Sequence, residues 1–394
     1  MMTMSYYQTA EFTVTLRGQT VRVVSKPGLP NWRDITPATV LLADSVEMPH
    51  DAHVLLLGCG HGALGVALAC QVPDGNLELM DTNFIALTMA EQTLRANNIV
   101  NGHVYSDITI LPGQTETFDT VVMELPKGRK LARRWLAESY AALRPDGRLY
   151  LAGANEQGVR SIVEDAKALF GNVIVLGYKK GNRVACAIKG PPAPAEPAWA
   201  REPGIAPGTW HEFEVDVRGH SFRLRSLPGV FAYDDKLDDG TRLLLTQISV
   251  SPTSQVLDVG CGYGIIGLLA ARLGAAHVDM VDVNLLAVAA AHENIAGNGV
   301  SNVEAFPSDA FSAVSERRYN LIATNPPFHT GKAVDYEVAQ VFIEHARHVL
   351  EPGGQLILVA NKFIRYDQLM RVVFGDHVGC LVETGRYHVL SATQ

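Results

Sequence analysis

Apolar and polar positions along this chain fall into alternating blocks. In the second half, short continuous apolar runs predict strands near 254–259, 277–282, 302–306, 318–324, 354–360, 378–383 and 386–392. Between them, apolar positions recur at helical spacing and predict helices near 263–273, 284–297, 336–350 and 365–373. Continuous apolar runs belong to strands buried on both faces, and strands alternating with helices imply a mostly parallel sheet covered on both sides. The last two runs are split by Thr384-Gly385, which predicts a hairpin and an antiparallel edge. The expected fold is α/β, with a mostly parallel seven-stranded sheet and a short β segment ahead of it near 212–226, matched by one near 11–24 in the first half.

The first half repeats this design. Glu11-Phe-Thr-Val-Thr-Leu-Arg-Gly18 matches Glu212-Phe-Glu-Val-Asp-Val-Arg-Gly219, and Pro27-Gly28 matches Pro228-Gly229. Val54-Leu-Leu-Leu-Gly-Cys-Gly-His-Gly62 matches Val256-Leu-Asp-Val-Gly-Cys-Gly-Tyr-Gly264. Met80-Asp-Thr-Asn83, Ser106-Asp107 and Phe170-Gly171 match Val281-Asp-Val-Asn284, Ser308-Asp309 and Phe374-Gly375. The order is kept at a nearly constant offset, so the chain reads as a tandem duplication. The expected domains are 1–189 and 209–394. Between them, 190–208 is rich in proline, which suits an extended, fairly stiff linker, with Trp199 buried against one domain.

Composition narrows the class. The 394 residues exceed one ordinary core, and 47% hydrophobic with 19% charged residues describes a soluble globular protein. The net charge of −8 gives no general attraction to nucleic acid, so any such contact needs a local basic patch. The five cysteines are scattered without a paired spacing, which argues against a disulfide framework or zinc site. No basic-then-apolar leader and no membrane-length apolar run is present, so a cytoplasmic location is expected.

The candidate chemistry lies at strand ends in the second half. Gly260, Gly262 and Gly264 form a turn between a strand and a helix, where backbone can approach a ligand. Asp258 stands two residues before it, Asp282 ends the next strand, and Asp309 follows the strand after that. Asn325-Pro-Pro-Phe328 closes the fourth. Polar signals at successive strand ends are the layout of a ligand site on an open parallel sheet. A nicotinamide dinucleotide also fits glycines followed by an acid, but gives no reason for Asn-Pro-Pro-Phe after the fourth strand. Cys261 reads as packing within the turn, and His345 with His348 as a surface helix face rather than a metal pair.

This ordered set resembles the class I (Rossmann-like) S-adenosylmethionine-dependent methyltransferases. The resemblance implies S-adenosyl-L-methionine as cofactor and no metal. The turn of Gly260, Cys261, Gly262 and Gly264 would pass under its methionine part. Asp258 would orient backbone or hold the ammonium, and Asp282, with Val283 beside it, would accept from the ribose hydroxyls. Asp309 and Ala310 would meet the adenine. Asn325 and the Pro326 carbonyl would accept from the NH2 of a planar amine, and so correct the poor nucleophilicity of a nitrogen conjugated to a ring. Pro326 and Pro327 would stiffen the loop, and Phe328 would stack on the base.

Leu227-Pro-Gly-Val-Phe231, Lys236-Leu-Asp-Asp-Gly-Thr241, Val359-Ala-Asn-Lys-Phe363 and Thr384-Gly-Arg-Tyr-His-Val-Leu390 narrow the likeness. They resemble the bacterial ribosomal RNA guanine-N2 methyltransferases, with the branch acting on small-subunit 16S RNA first and the large-subunit 23S branch second. The resemblance implies a monomer acting on rRNA within a small ribosomal subunit, with an inactive first copy. Adenine-N6 and protein glutamine methyltransferases share the tetrapeptide and remain alternatives. A non-enzymatic RNA-binding protein or chaperone remains as well, though it predicts decay in the second copy too.

The decay is confined to the first copy. Leu56 replaces the acid matching Asp258, and Glu124-Leu-Pro-Lys127 replaces Asn-Pro-Pro-Phe, while Asp81 and Asp107 persist. There, Lys127, Arg129, Lys130, Arg133 and Arg134 form a basic run at the degenerate loop, read as an RNA-backbone contact rather than a solvated helix face. Lys332, Lys362 and Arg365 flank the second site as further RNA contacts.

Overall fold

The computed structural model describes residues 6–106, 115–191, 195–234, 237–327 and 333–394, with side chains of the 333–349 helix from 338 onward. The chain divides into two compact units, Met1–Trp210 and His211–Gln394. The stretch expected as a linker, 190–208, falls within the first unit. Trp199 sits in a short 3-10 turn, 9% exposed, with the Arg133 guanidinium 5.0 Å from its ring.

The first unit runs β1 (Ala10–Leu16), β2 (Gln19–Ser25), α1 (Pro37–Ser45), β3 (His53–Leu57), α2 (Ala63–Ala69), β4 (Asn76–Met80) and α3 (Phe84–Ala96). It continues with β5 (Gly102–Tyr105), β6 (Phe118–Glu124), α4 (Arg129–Ala142), β7 (Leu143–Ala154), α5 (Val159–Phe170), β8 (Ile174–Lys179) and β9 (Asn182–Ile188). The second unit runs β10 (His211–Val217), β11 (His220–Ser226), α6 (Asp239–Leu245), β12 (Gln255–Val259), α7 (Ile265–Arg272), β13 (His277–Asp282) and α8 (Leu285–Gly297). It ends with β14 (Val303–Pro307), β15 (Tyr319–Thr324), α9 (Ala333–Val349), β16 (Leu350–Asn361), α10 (Tyr366–Phe374), β17 (Val378–Glu383) and β18 (Tyr387–Thr393).

Each unit holds one seven-stranded sheet, in the orders β5-β4-β3-β6-β7-β9-β8 and β14-β13-β12-β15-β16-β18-β17. Only the last two strands of each order are antiparallel to their neighbours. The central strands are apolar on both faces because helices cover both: Val256 and Leu257 are fully buried and Val259 is 1% exposed. The order reverses direction between β12 and β15, which opens a crevice beyond their carboxyl ends. The expected β segments near 11–24 and 212–226 are two-stranded hairpins outside the sheets. Asn294 of α8 and Asn298, which caps its C-terminus, dock one of them by exchanging hydrogen bonds with the β11 backbone at Arg225 and Arg223.

Among the described residues, two α-helices go beyond the expected set. These are α1 and α6, which precede the first sheet strand of each unit.

Candidate active site

The glycine turn leaves β12 and enters α7, whose N-cap is Gly264. Gly260, Gly262 and Gly264 all have positive φ (71°, 56° and 89°), a region that disfavours side chains. At Gly264 a Cβ would lie 2.9 Å from Met280 Sδ, so bare backbone is required for packing. At Gly262 a Cβ would meet nothing within 4 Å, so the turn borders open space on that side. Cys261 is 6% exposed, and burial with the nearby Asp282 and Asp258 charges holds its thiol well above the usual range. It is a packing residue, not a nucleophile.

Asp282 ties the turn to β13. Its Oδ2 accepts from Gly262 N–H at 2.9 Å and its Oδ1 from Asn284 N–H at 2.8 Å. Burial raises its pKa, opposed by these bonds and one from Val283. A carboxylate offers about four acceptor positions, so these three donors leave room for a further one. Asp258 is fully buried, and its Oδ2 accepts from Gly267 N–H at 3.0 Å inside α7. Its Oδ1 has no partner among the described residues. Burial pushes its pKa up to about 7. Asp309 is 8% exposed and leads into Ala310, which holds a left-handed φ of 49°. The Ser308 hydroxyl donates to the Ala310 carbonyl at 2.8 Å and braces that turn.

Asn325 stands across the crevice, directly after β15. Thr324 anchors the strand end by donating its hydroxyl to the Val259 carbonyl at 2.7 Å. The Asn325 amide nitrogen donates to Thr241 Oγ1 at 2.8 Å and toward Asp238 Oδ2 at 3.4 Å. Asp238 caps α6, accepting from Thr241 N–H at 2.9 Å and from the Thr241 hydroxyl at 3.3 Å. A carboxylate only accepts, so this chain of bonds fixes which end of the amide is which. Asn325 Oδ1 is thereby left buried with no donor among the described residues. Asp238 and Thr241 were not among the residues expected at the site; their signal is an Asp-x-x-Thr capping pattern at the head of a two-turn helix. Behind them, Tyr387 of β18 packs on α6, its Cε1 3.3 Å from where a Gly240 Cβ would stand. Pro326 is buried and Pro327 exposed; Phe328 and Lys332 lie outside the described residues.

With this geometry in view, known proteins resemble the chain throughout. The Methyltransferase small domain family matches twice, over residues 20–185 and 221–391. A ribosomal RNA small subunit methyltransferase C from Chromohalobacter salexigens is 36% identical over 296 residues, covering 74% of this chain and 82% of the relative. Its counterpart from Pseudoalteromonas atlantica is 34% identical over 275 residues, covering 69% and 76%. The solved T. thermophilus 16S rRNA N2 G1207 methyltransferase (RsmC), in complex with AdoMet and guanosine, superimposes with a TM-score of 0.78 at 30% identity, covering 98% of each chain. The chain belongs to the ribosomal RNA small subunit methyltransferase C family.

Within this methyltransferase family fold, the first unit keeps the frame and changes the contents. Asp81 repeats Asp282, accepting from Gly60 N–H at 3.0 Å and Asn83 N–H at 2.9 Å. Leu56, fully buried, stands where Asp258 does. At the end of β6, Glu124 accepts from the Thr36 hydroxyl at 2.7 Å and the Thr39 hydroxyl at 2.8 Å, so each of its oxygens already has a donor. Leu125 N–H donates to the Ala152 carbonyl at 2.9 Å, a bond its counterpart Pro326 cannot make. Asp107 lies outside the described residues.

The basic run needs correction. Arg134 is 1% exposed, paired with Glu138 at 2.9 Å and bonded to the Gly204 carbonyl at 3.2 Å, so it cannot reach RNA. Arg133 is mostly buried, stacked on Trp199 and bidentate on Asp165. Arg129 is bidentate on the same carboxylate but half-exposed. Lys127 and Lys130 face solvent. In the second unit Lys362 pairs with Glu383 at 2.6 Å and Arg365 with Asp367 at 3.1 Å, both exposed. His345 stacks on Phe311 rather than forming a ligand pair with His348.

Proposed function

We propose that the second unit methylates the exocyclic N2 amine of a guanine in 16S ribosomal RNA, with S-adenosyl-L-methionine as methyl donor. The observation that carries this reading is Asn325: its amide nitrogen is occupied and its buried Oδ1 has no donor among the described residues. An N–H donor is the missing partner, and a guanine N2 amine supplies one. Oδ1 and the Pro326 carbonyl then hold the amine so that its lone pair faces the incoming methyl. Catalysis rests on this alignment and on preorganised acceptors, because the prolines leave the loop little freedom.

The residues fit the cofactor. The space over Gly262 admits a ligand, Asp282 keeps acceptor capacity for a ribose hydroxyl, and Asp258 Oδ1 is a second acceptor without a donor among the described residues. Asp309 and the braced Ala310 turn flank the adenine end. When bound, S-adenosyl-L-methionine supplies an electrophilic methyl on its sulfonium. The T. thermophilus relative was solved with AdoMet and guanosine, and the same pair suits this site.

The first unit does no chemistry and positions RNA, through Lys127, Lys130 and the exposed face of Arg129. The enzyme works as a cytoplasmic monomer on the small ribosomal subunit, with the target guanine turned out of its stack. The test is incubation with tritiated S-adenosylmethionine and ribosomal subunits lacking native methylation, followed by nucleoside analysis. Label in N2-methylguanosine of 16S RNA, lost in Asn325→Ala, is the expected result. Label in N6-methyladenosine, in large-subunit RNA or in protein would overturn the substrate.

A further inference from the structure

A second polar cleft, of about 280 Å³, lies between α10 and the β17–β18 hairpin. Its charged lining is Lys362, Arg365 and Arg371 against Asp367 and Glu383, with His388 at the back. The two carboxylates are already neutralised, Glu383 by Lys362 and Asp367 by Arg365. Arg371, exposed on α10, has no ion-pair partner among the described residues. His388 is only 7% exposed, and its Nε2 has no hydrogen-bond partner there. Lys362 and Arg365 retain unused donors, since an ammonium offers three and a guanidinium five. The cleft therefore holds more donors than acceptors, the condition for binding an oxyanion.

Its position favours a polymer over a free anion. Lys362 directly follows β16 as Asn325 directly follows β15, and these strands are parallel neighbours paired at Thr324 and Leu358. The cleft and the amine clamp thus share one edge of the sheet. Tyr387, the residue before His388, packs on α6, the helix that holds Asn325. Between the two basic residues of the rim, Phe363 is 65% exposed, a bare aromatic face among cations. That combination suits a phosphate and its adjoining base in single-stranded nucleic acid.

We propose that this cleft seats a phosphodiester of the RNA chain near the target guanine. Arg371 and His388 Nε2 donate to its non-bridging oxygens, and Phe363 stacks on the neighbouring base. The proposal rests on the guanine-N2 RNA reading above and adds the place where the strand is held.

The full-length protein tests it through Arg371→Glu, Arg371→Lys and Phe363→Leu, all at exposed positions. Arg371→Glu is expected to raise KM for undermethylated small subunits about 10-fold, with kcat and cofactor affinity unchanged. The slope of log affinity against log salt should fall by about one unit, and Arg371→Lys should restore it. Phe363→Leu should weaken binding about 10-fold without changing that slope. An Arg371→Glu protein with wild-type KM and salt slope overturns the cleft while leaving the methyltransferase intact. Inorganic phosphate binding that Arg371→Glu abolishes, with the RNA slope unchanged, assigns the cleft to a free anion and overturns it equally. Should the wild-type protein transfer no methyl to any subunit, the function fails, and filter binding of 16S RNA, which needs no turnover, still decides the cleft.

Discussion

Glu124 and Asn325 occupy the same corner of two sheets of the same order, and each meets the cap of a short helix. In the first unit the cap is Thr36 with Thr39, two hydroxyls that donate, and the strand end carries a carboxylate that accepts. In the second the cap is Asp238 with Thr241, and the strand end carries an amide that donates into it. Reversing the donor direction changes what is left over. Glu124 has a donor on each oxygen, while Asn325 presents a buried oxygen that has no donor among the described residues. The acid has in effect moved from strand to cap. Decay of the first copy is therefore a self-consistent repacking of the hydrogen bonds that the second keeps open for a ligand.

The sharpest way to break this comparison is to move the acid back. Asn325→Glu alone sets a second carboxylate against Asp238 and should destabilise the second unit by about 3 kcal/mol or more. It should also reduce methyl transfer by at least about 100-fold. Adding Asp238→Thr rebuilds the first unit's Thr-x-x-Thr cap and should recover most of the melting temperature with none of the activity. Calorimetry and single-turnover methylation separate the two effects. If the double variant is as unstable as the single one, the two corners are not equivalent.

Thr241 tests the relay more gently. Thr241→Val keeps the shape, removes the hydroxyl that receives the Asn325 amide, and lets the amide turn over. A loss of about 10-fold in kcat is expected, rescued by Thr241→Ser, with cofactor affinity unchanged. An unaltered kcat would show that Asp238 alone orients the amide.

The frame of this site was readable in sequence, and its control was not. Strand limits in the second unit fall within a residue or two of expectation, β16 excepted, because the shortness of each apolar run and the turn residues around it settle what periodicity alone leaves open. β16 begins at Leu350 rather than 354, since its first residue pairs ahead of a break in register. By contrast α6 has seven residues and no sustained apolar stripe, yet it orients Asn325. The basic run failed for another reason. Glu138 lies one turn from Arg134 and was legible, but Gly204, Trp199 and Asp165 are 32 to 70 positions from their arginine partners and only folding brings them together. Charge in sequence reports composition; burial decides whether a cation is free.

The glycine turns offer a matched pair. Gly60 and Gly262 have φ of 53° and 56°, and a Cβ at either would meet nothing within 4 Å. Ala at each should cost the same strain, about 1 kcal/mol. Only Gly262→Ala should weaken cofactor binding, by about 10-fold, because its Cβ would project into the space assigned to the ligand. Titration calorimetry on both variants is the check; an equal loss at Gly60 would mean that the first unit binds cofactor too.

The last contrast is Asp258 against Leu56, both fully buried at equivalent strand positions. Leu56 does not titrate. Asp258 has a folded pKa of about 7, raised by burial above the ordinary 3.8. A folded pKa above the unfolded one means that the folded state holds the proton more tightly. Ionisation therefore costs nothing below about pH 4, an increasing amount up to about pH 7, and a constant amount beyond, rising by at most about 1.4 kcal/mol for each pH unit crossed. Asp258→Asn keeps an acceptor for Gly267 N–H and removes the charge. Its melting temperature in the absence of ligand should gain on the wild type between pH 5 and pH 8 by a few degrees. Groups that do not feel the Asp258 charge cancel in that difference; Asp282, whose charge contributes to the Asp258 shift, is relieved in the same direction by the substitution. Saturating S-adenosylmethionine should shrink the gap, since an ammonium beside Oδ1 favours the ionised acid that Asn lacks. Parallel profiles with and without cofactor would leave Asp258 as a backbone anchor alone, and would reduce the chemical difference between the two units to Asn325 and its cap.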